Sequence, residues 1–134
     1  MDNSKKNNKT ILLAFQSYSD MNYLSEVLSS DCYRIIRAGN FLSLIDALDH
    51  YRIHLIISEV NIPGISMINF LPFLRKRYSN IKVIITMKDY SPRLELSLRQ
   101  YNILYVIPWP VSRELLKSLV EKGLERREKD LIIG

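Results

Sequence analysis

Residues 55–64 read LIISEVNIPG. Leu55, Ile56 and Ile57 run without a polar break into Ser58 and Glu59, and Pro63-Gly64 then turns the chain. A short apolar run of this kind, closed by turn residues, predicts a strand covered by protein on both faces, as parallel strands are. One carboxylate, Glu59, stands where that strand ends.

The same alternation of oily runs and helical patterns extends in both directions. Residues 11–15 (ILLAF), 32–38 (CYRIIRA), 82–87 (KVIITM) and 103–107 (ILYVI) read as four further strands. Between them, Met21, Leu24, Val27 and Leu28 recur at helical spacing behind Ser19 or Asp20 as a cap, and Phe41, Leu44, Ile45 and Leu48 do so behind Asn40. Met67, Ile68, Phe70, Leu71 and Leu74 define a third helix, in which Pro72 removes a backbone donor and predicts a kink. Ser91-Pro92 opens a fourth that carries Leu94, Leu98 and Tyr101 and stops at Asn102, a residue suited to the left-handed conformation. Ser112 opens a fifth, running to residue 129. Five strand–helix alternations predict an α/β fold, a flavodoxin-like, doubly wound, five-stranded parallel sheet, (βα)5, in three layers. Residues 1–9 read as a polar tail, 10–122 as the domain, and 123–134 as a helical linker or the start of an output domain.

At 134 residues the chain suits one domain, and 47% hydrophobic with 25% charged residues fits an ordinary globular core. No run approaches the roughly 18 apolar residues of a membrane span, and no signal peptide is legible, so a cytoplasmic location is expected. Cys32 is the single cysteine, which excludes an internal disulfide or a cysteine-based metal cluster. His50 and His54 lack an adjoining acidic motif and read as structural. The net charge of +5 divides as +2 over residues 1–10, +2 over 11–111 and +1 over 112–134. The densest cluster is Arg75, Lys76 and Arg77 at a helix end, too few cations for direct nucleic-acid binding. Neither a dinucleotide fingerprint nor a P-loop is present.

Chemistry in such a sheet gathers at the carboxyl ends of the strands. Glu59-Val-Asn-Ile-Pro-Gly64 and Trp109-Pro110, in this order of elements, resemble the D-x-x-M-P-G turn and the K-P pair of two-component receiver domains, over about residues 10–122. The resemblance implies a phosphoacceptor aspartate ending the third strand, a magnesium-binding acid pair after the first, a Thr or Ser ending the fourth, and a lysine before a cis proline. Here those positions hold Glu59, then Phe15 and Gln16, then Met87, and Trp109 before Pro110. Thr86 reaches the site only if the fourth strand slips by one residue, and otherwise packs into the sheet flank.

Phe15 offers no oxygen and Gln16 one neutral carbonyl, whereas magnesium requires hard oxygen ligands that usually include carboxylates. Without the cation and the lysine, charge on a transferring phosphoryl group goes unscreened. No cofactor, no magnesium, no catalysis and no phosphorylation at Glu59 are therefore expected. Glu59 can be a plain polar end to its strand, a fixed negative charge in place of a phosphoryl group, or an acid enclosed by Phe15, Met87 and Trp109. Trp109 and Met87 either fill the former pocket together, or Trp109 covers the sheet end.

Receivers commonly pair through the fourth helix, fifth strand and fifth helix. This implies a homodimer face over residues 93–101, 104–107 and 113–120, with Arg93, Glu95, Leu98, Arg99, Tyr105, Arg113 and Lys117 as candidates. The closing LIIG resembles the start of the ATPase domain of sigma-54-dependent activators. The expected function is that of a degenerate, phosphorylation-independent receiver in signal transduction and transcriptional regulation, acting by dimerisation or protein contact. The alternatives are a stand-alone adaptor for a kinase or another signalling partner, and a still phosphorylatable regulator.

Overall fold

A computed structural model describes residues 9–133, with side chains through residue 125. Strands β1 (Thr10–Ala14), β2 (Arg34–Ala38), β3 (Leu55–Glu59), β6 (Lys82–Met87) and β7 (Tyr105–Pro108) form one parallel sheet in the order β2-β1-β3-β6-β7. Helices α1 (Tyr18–Ser29), α2 (Phe41–His50), α3 (Met67–Arg77), α4 (Pro92–Arg99) and α5 (Arg113–Ile133) connect and cover them. This is the doubly wound arrangement expected.

Alternate residues of the central strands point to opposite faces. Leu12, Ala14, Ile56, Val83 and Ile85 join Leu44, Phe70, Leu74 and Leu98 in one buried cluster, against α2, α3 and α4. Ile11, Leu13, Phe15, Leu55, Ile57 and Ile84 join Leu24, Leu28, Leu116 and Val120 in the other, against α1 and α5. Every residue of β1 is buried. Strand order reverses at β1 and β3, and at this switch point the connections diverge to opposite faces and leave a crevice at the carboxyl ends.

Helix starts follow their capping chemistry. Asn40 and Ser91 accept hydrogen bonds from Ser43 N (2.8 Å) and Leu94 N (3.1 Å) as expected. The first cap is Ser17 rather than Ser19 or Asp20: its extended backbone brings Oγ to Asp20 N at 3.2 Å, and the later two residues already lie in the first turn. Helix α3 continues through Pro72, which sits on the exposed side. β2 begins only at Arg34 because Cys32 turns through φ 66°, and Asn102 closes the α4 segment at φ 59°.

Two features lay outside the sequence reading. The Pro63-Gly64 turn is the tip of a small antiparallel hairpin, β4 (Asn61–Ile62) with β5 (Ile65–Ser66). Gly64 adopts φ 101° there, and a Cβ would come within 2.8 Å of Phe41 Cβ, so only glycine allows the turn to rest on the start of α2. At the far end, α5 keeps its packing beyond residue 122: Gly123 lies against Leu104, and Leu124 packs on the α1/α5-side cluster. The closing LIIG lies outside the residues whose side chains are described.

The Arg75–Lys76–Arg77 run is no uniform cationic patch. Arg75 is half-buried, and its guanidinium donates to the carbonyls of Ile81 (2.6 Å), Tyr101 (2.8 Å), Asn102 (3.2 Å) and Ser79 (3.4 Å). It ties α3 to the turns that enter β6 and β7. Burial lowers its pKa from the ordinary arginine value. His54 is likewise structural, its Nδ1 accepting from Thr10 N at 2.9 Å across β3 and β1. Removing the clamp strips four main-chain carbonyls, those of Tyr101 and Ile81 part-buried, of a charged donor, so Arg75→Ala is expected to lower the unfolding free energy by about 2–3 kcal/mol in urea denaturation, and Arg75→Lys to recover less than half of it.

Candidate functional site

At the carboxyl ends, Glu59 closes β3 beside the switch point. Its Oε1 accepts from Gln16 N at 2.7 Å, so the carboxylate answers the backbone N–H left open where β1 ends. Its Oε2 lies 3.9 Å from Lys88 Nζ, and the same ammonium stands 3.2 Å from Asp20 Oδ2. The Glu59 and Asp20 side chains keep only 17% and 18% of their exposure, against 54% for Lys88. Two largely covered carboxylates, from β3 and α1, thus face one cation from the loop after β6. Asp20 Oδ2 is itself shut off from solvent and makes no hydrogen bond, so this ammonium is what balances it.

Neither Asp20 nor Lys88 was singled out for this site from the sequence. Asp20 read as a helix cap, and Lys88 lies one residue past a strand whose last residue was assigned to the pocket. The available signal was topological: a loop leaving β6 and the first turn of α1 both border the switch point.

The register fixes which way the last residues of β6 face. Glu59 pairs with Thr86, and paired residues of parallel strands face the same side. Thr86, two residues beyond Ile84, therefore lies on the same side of the sheet as Glu59, while Met87 packs in the cluster under α3 and α4, and both border the groove beside Glu59. No slip is involved: β6 simply ends on the far-facing residue. Glu59, Thr86, Met87, Lys88 and Leu94 line a groove of about 240 Å³.

Phe15 is fully buried, and Trp109 packs on it and on Tyr23 at ring-centroid distances of 5.7 and 6.0 Å. Tyr23 Oη donates to Val111 O at 2.8 Å, which ties this aromatic group to the start of α5. The Trp109-Pro110 peptide is cis, as the resemblance implied. Trp109 belongs to the α1/α5 side and Met87 to the opposite one, so the two do not fill a single pocket together. Nor do Phe15, Met87 and Trp109 enclose Glu59, which has a backbone donor and a cation beside it.

The donor set does not fit magnesium. The two positions after β1 hold a buried phenyl ring and Gln16, Glu59 and Asp20 already share the Lys88 ammonium, and Asp89 is the one further carboxylate bordering the groove. Among the described residues no group of three His, Cys, Asp or Glu is placed to hold a metal ion.

The expected dimer face is changed in part. Leu98 is fully buried in the core and cannot meet a partner, because its helical spacing from Leu94 faces it to the sheet. Glu95 pairs within its own helix with Arg99 at 2.8 Å and also accepts from Tyr90 Oη, and these two hydrogen bonds, the tyrosine's first, hold its carboxyl below the usual range. Lys117 faces Asp31 at 3.7 Å and Ser30 Oγ at 3.3 Å, within the α1–α5 contact. Tyr105 packs partly buried on the core, whereas Arg93 and Arg113 are exposed. Leu96, 75% exposed on α4, and Leu115, 48% exposed on α5, are the apolar groups this side presents.

No protein-family profile matches the chain. Among solved structures it is similar to a signal receiver domain from Vibrio parahaemolyticus (TM-score 0.85, 23% identity, 94% of this chain and 98% of that one). A CheY-like response regulator receiver domain protein from Methanospirillum hungatei JF-1 gives a TM-score of 0.84 at 16% identity, over 91% and 98% of the two chains. The beryllofluoride-activated NtrC4 receiver domain dimer gives 0.82 at 17%, over 87% and 97%. The fold is therefore that of receiver domains. In sequence, the chain is 31% identical over 78 residues to sporulation initiation phosphotransferase F of Bacillus subtilis (strain 168), a match over 58% of this chain and 63% of that protein, less than two thirds of its length.

If Glu59 serves chiefly as an acceptor for Gln16 N, glutamine can replace it. Glu59→Gln is expected to cost less than about 0.5 kcal/mol, and Glu59→Ala about 1–1.5 kcal/mol, by urea denaturation, because only alanine leaves that N–H unmet.

Proposed function

We propose that this chain is a receiver-type signalling domain that works by protein contact without phosphorylation, its switch site held by the Asp20–Lys88–Glu59 cluster. The single observation that carries the reading is the Lys88 ammonium, set between the carboxylate at the phosphoacceptor position and a second carboxylate from α1. A divalent cation entering that place has to displace a tethered one and would meet few hard oxygen ligands. Glu59 is a methylene longer than aspartate, and its Oε1 is engaged by Gln16 N. Trp109 stands where a receiver carries the lysine that meets the phosphoryl group, and an indole supplies no such charge. The domain is accordingly read as no enzyme and as binding no cofactor.

What remains is surface. The α4–β7–α5 side keeps Leu96, Leu115, Arg93 and Arg113 exposed, and self-association through it, in the cytoplasm and in the service of transcriptional control, is the favoured mode of action. The receiver dimer among the similar structures supports such pairing for this fold. No helix among the described residues is long and apolar enough to cross a membrane.

The test is incubation of the full chain with acetyl phosphate and magnesium, read by intact mass and by sedimentation velocity. The expected outcome is no added phosphoryl group and a monomer–dimer equilibrium that acetyl phosphate leaves unchanged and that Leu96→Glu weakens about tenfold or more. A phosphoryl adduct that disappears in Glu59→Ala would overturn the proposal. A monomer at every concentration would favour the adaptor role over the dimer.

A further inference from the structure

The opposite end of the sheet carries a second cleft, of about 350 Å³, between the C-termini of α2 and α3. That volume falls within the roughly 300–1,000 Å³ of small-molecule sites. Leu48, Ile53 and Ile81 give it an apolar floor, and Tyr51, Arg52 and Arg77 stand at its rim. No carboxylate lines it. At the rim, Arg77 lies over the Tyr78 ring at 5.7 Å, and Arg34, outside the lining, lies over the Tyr51 ring at 5.0 Å, so both exposed guanidinium groups rest on aromatic faces. Among the described residues, none of Arg34, Arg52 and Arg77 is ion-paired, while the nearby acid Asp46 is engaged with His50 at 3.3 Å.

Cations at helix C-termini also offset the helix dipoles, which is the plainest reason for arginines here. The magnitudes leave a surplus. Two helix ends contribute about half a negative charge each, against the two full guanidinium charges of Arg52 and Arg77 that line the cleft. A cleft with net positive charge, planar forked donors and an apolar floor suits an anion that carries both phosphate oxygens and an organic body.

We propose that this cleft binds a small organic phosphate of nucleotide size, with Arg52 and Arg77 holding the phosphate oxygens and the apolar floor under the organic part. The site is separate from the Glu59 edge and does not depend on whether that edge can be phosphorylated.

The test is amide NMR titration of the full chain with adenosine diphosphate, pyrophosphate and adenosine. Adenosine diphosphate is expected to move the amides of Arg52, His54 and residues 78–81 saturably, pyrophosphate to act on the same amides more weakly, and adenosine to leave them in place. Arg52→Gln combined with Arg77→Gln is expected to weaken adenosine diphosphate binding about tenfold or more, and Lys122→Ala, on exposed α5, to leave it unchanged. Both arginines are exposed, and retained spectral dispersion confirms that the double variant folds. Shifts that never saturate, equal affinity in the double variant, or pyrophosphate binding as tightly as adenosine diphosphate would each overturn the assignment.

Discussion

The structure depends on burying three adjacent parallel strands on both faces. β1, β3 and β6 are apolar almost throughout because one set of alternate residues meets α2, α3 and α4 and the other meets α1 and α5. Register follows from this: a slip by one residue would send Leu12 and Ile56 to the wrong layer and break both clusters at once. With register set, the last residues of the strands have no freedom over which side they face. Glu59 and Thr86 face one layer, and Met87 the other, for the same reason that Ile57 and Ile84 share a layer.

Much of this was legible in the sequence. The apolar runs and the caps at Asn40 and Ser91 were sufficient for the element order and hence the sheet, since few topologies bury such runs on both faces. Strand ends were less legible, because Cys32 and Asn102 take left-handed conformations that shorten or shift the following strands. The 61–66 hairpin was invisible because two-residue strands carry no periodicity.

The site was only partly readable. Glu59, Phe15, Gln16, Trp109 and Pro110 follow from their places at strand ends, and the structure sets Gln16 N against Glu59 and Trp109 against Phe15. Which layers Thr86 and Met87 face was not readable, because an apolar run does not reveal which of its last two residues faces which layer. Asp20 and Lys88 were missed because their relation is purely spatial: they lie 68 positions apart in the chain and meet only once α1 and the loop after β6 flank the same crevice. The misplaced Leu98 shows the converse, a residue near an expected surface whose helical phase turns it inward.

The Arg75 clamp bears on which changes this domain can absorb. Its guanidinium reads only main-chain oxygens, at Ser79, Ile81, Tyr101 and Asn102, so the side chains in those turns can drift without loosening the anchor. The tolerance is one-sided. A lysine at position 75 offers a single ammonium point in place of a rigid fork, and it cannot span turns that belong to two different strands.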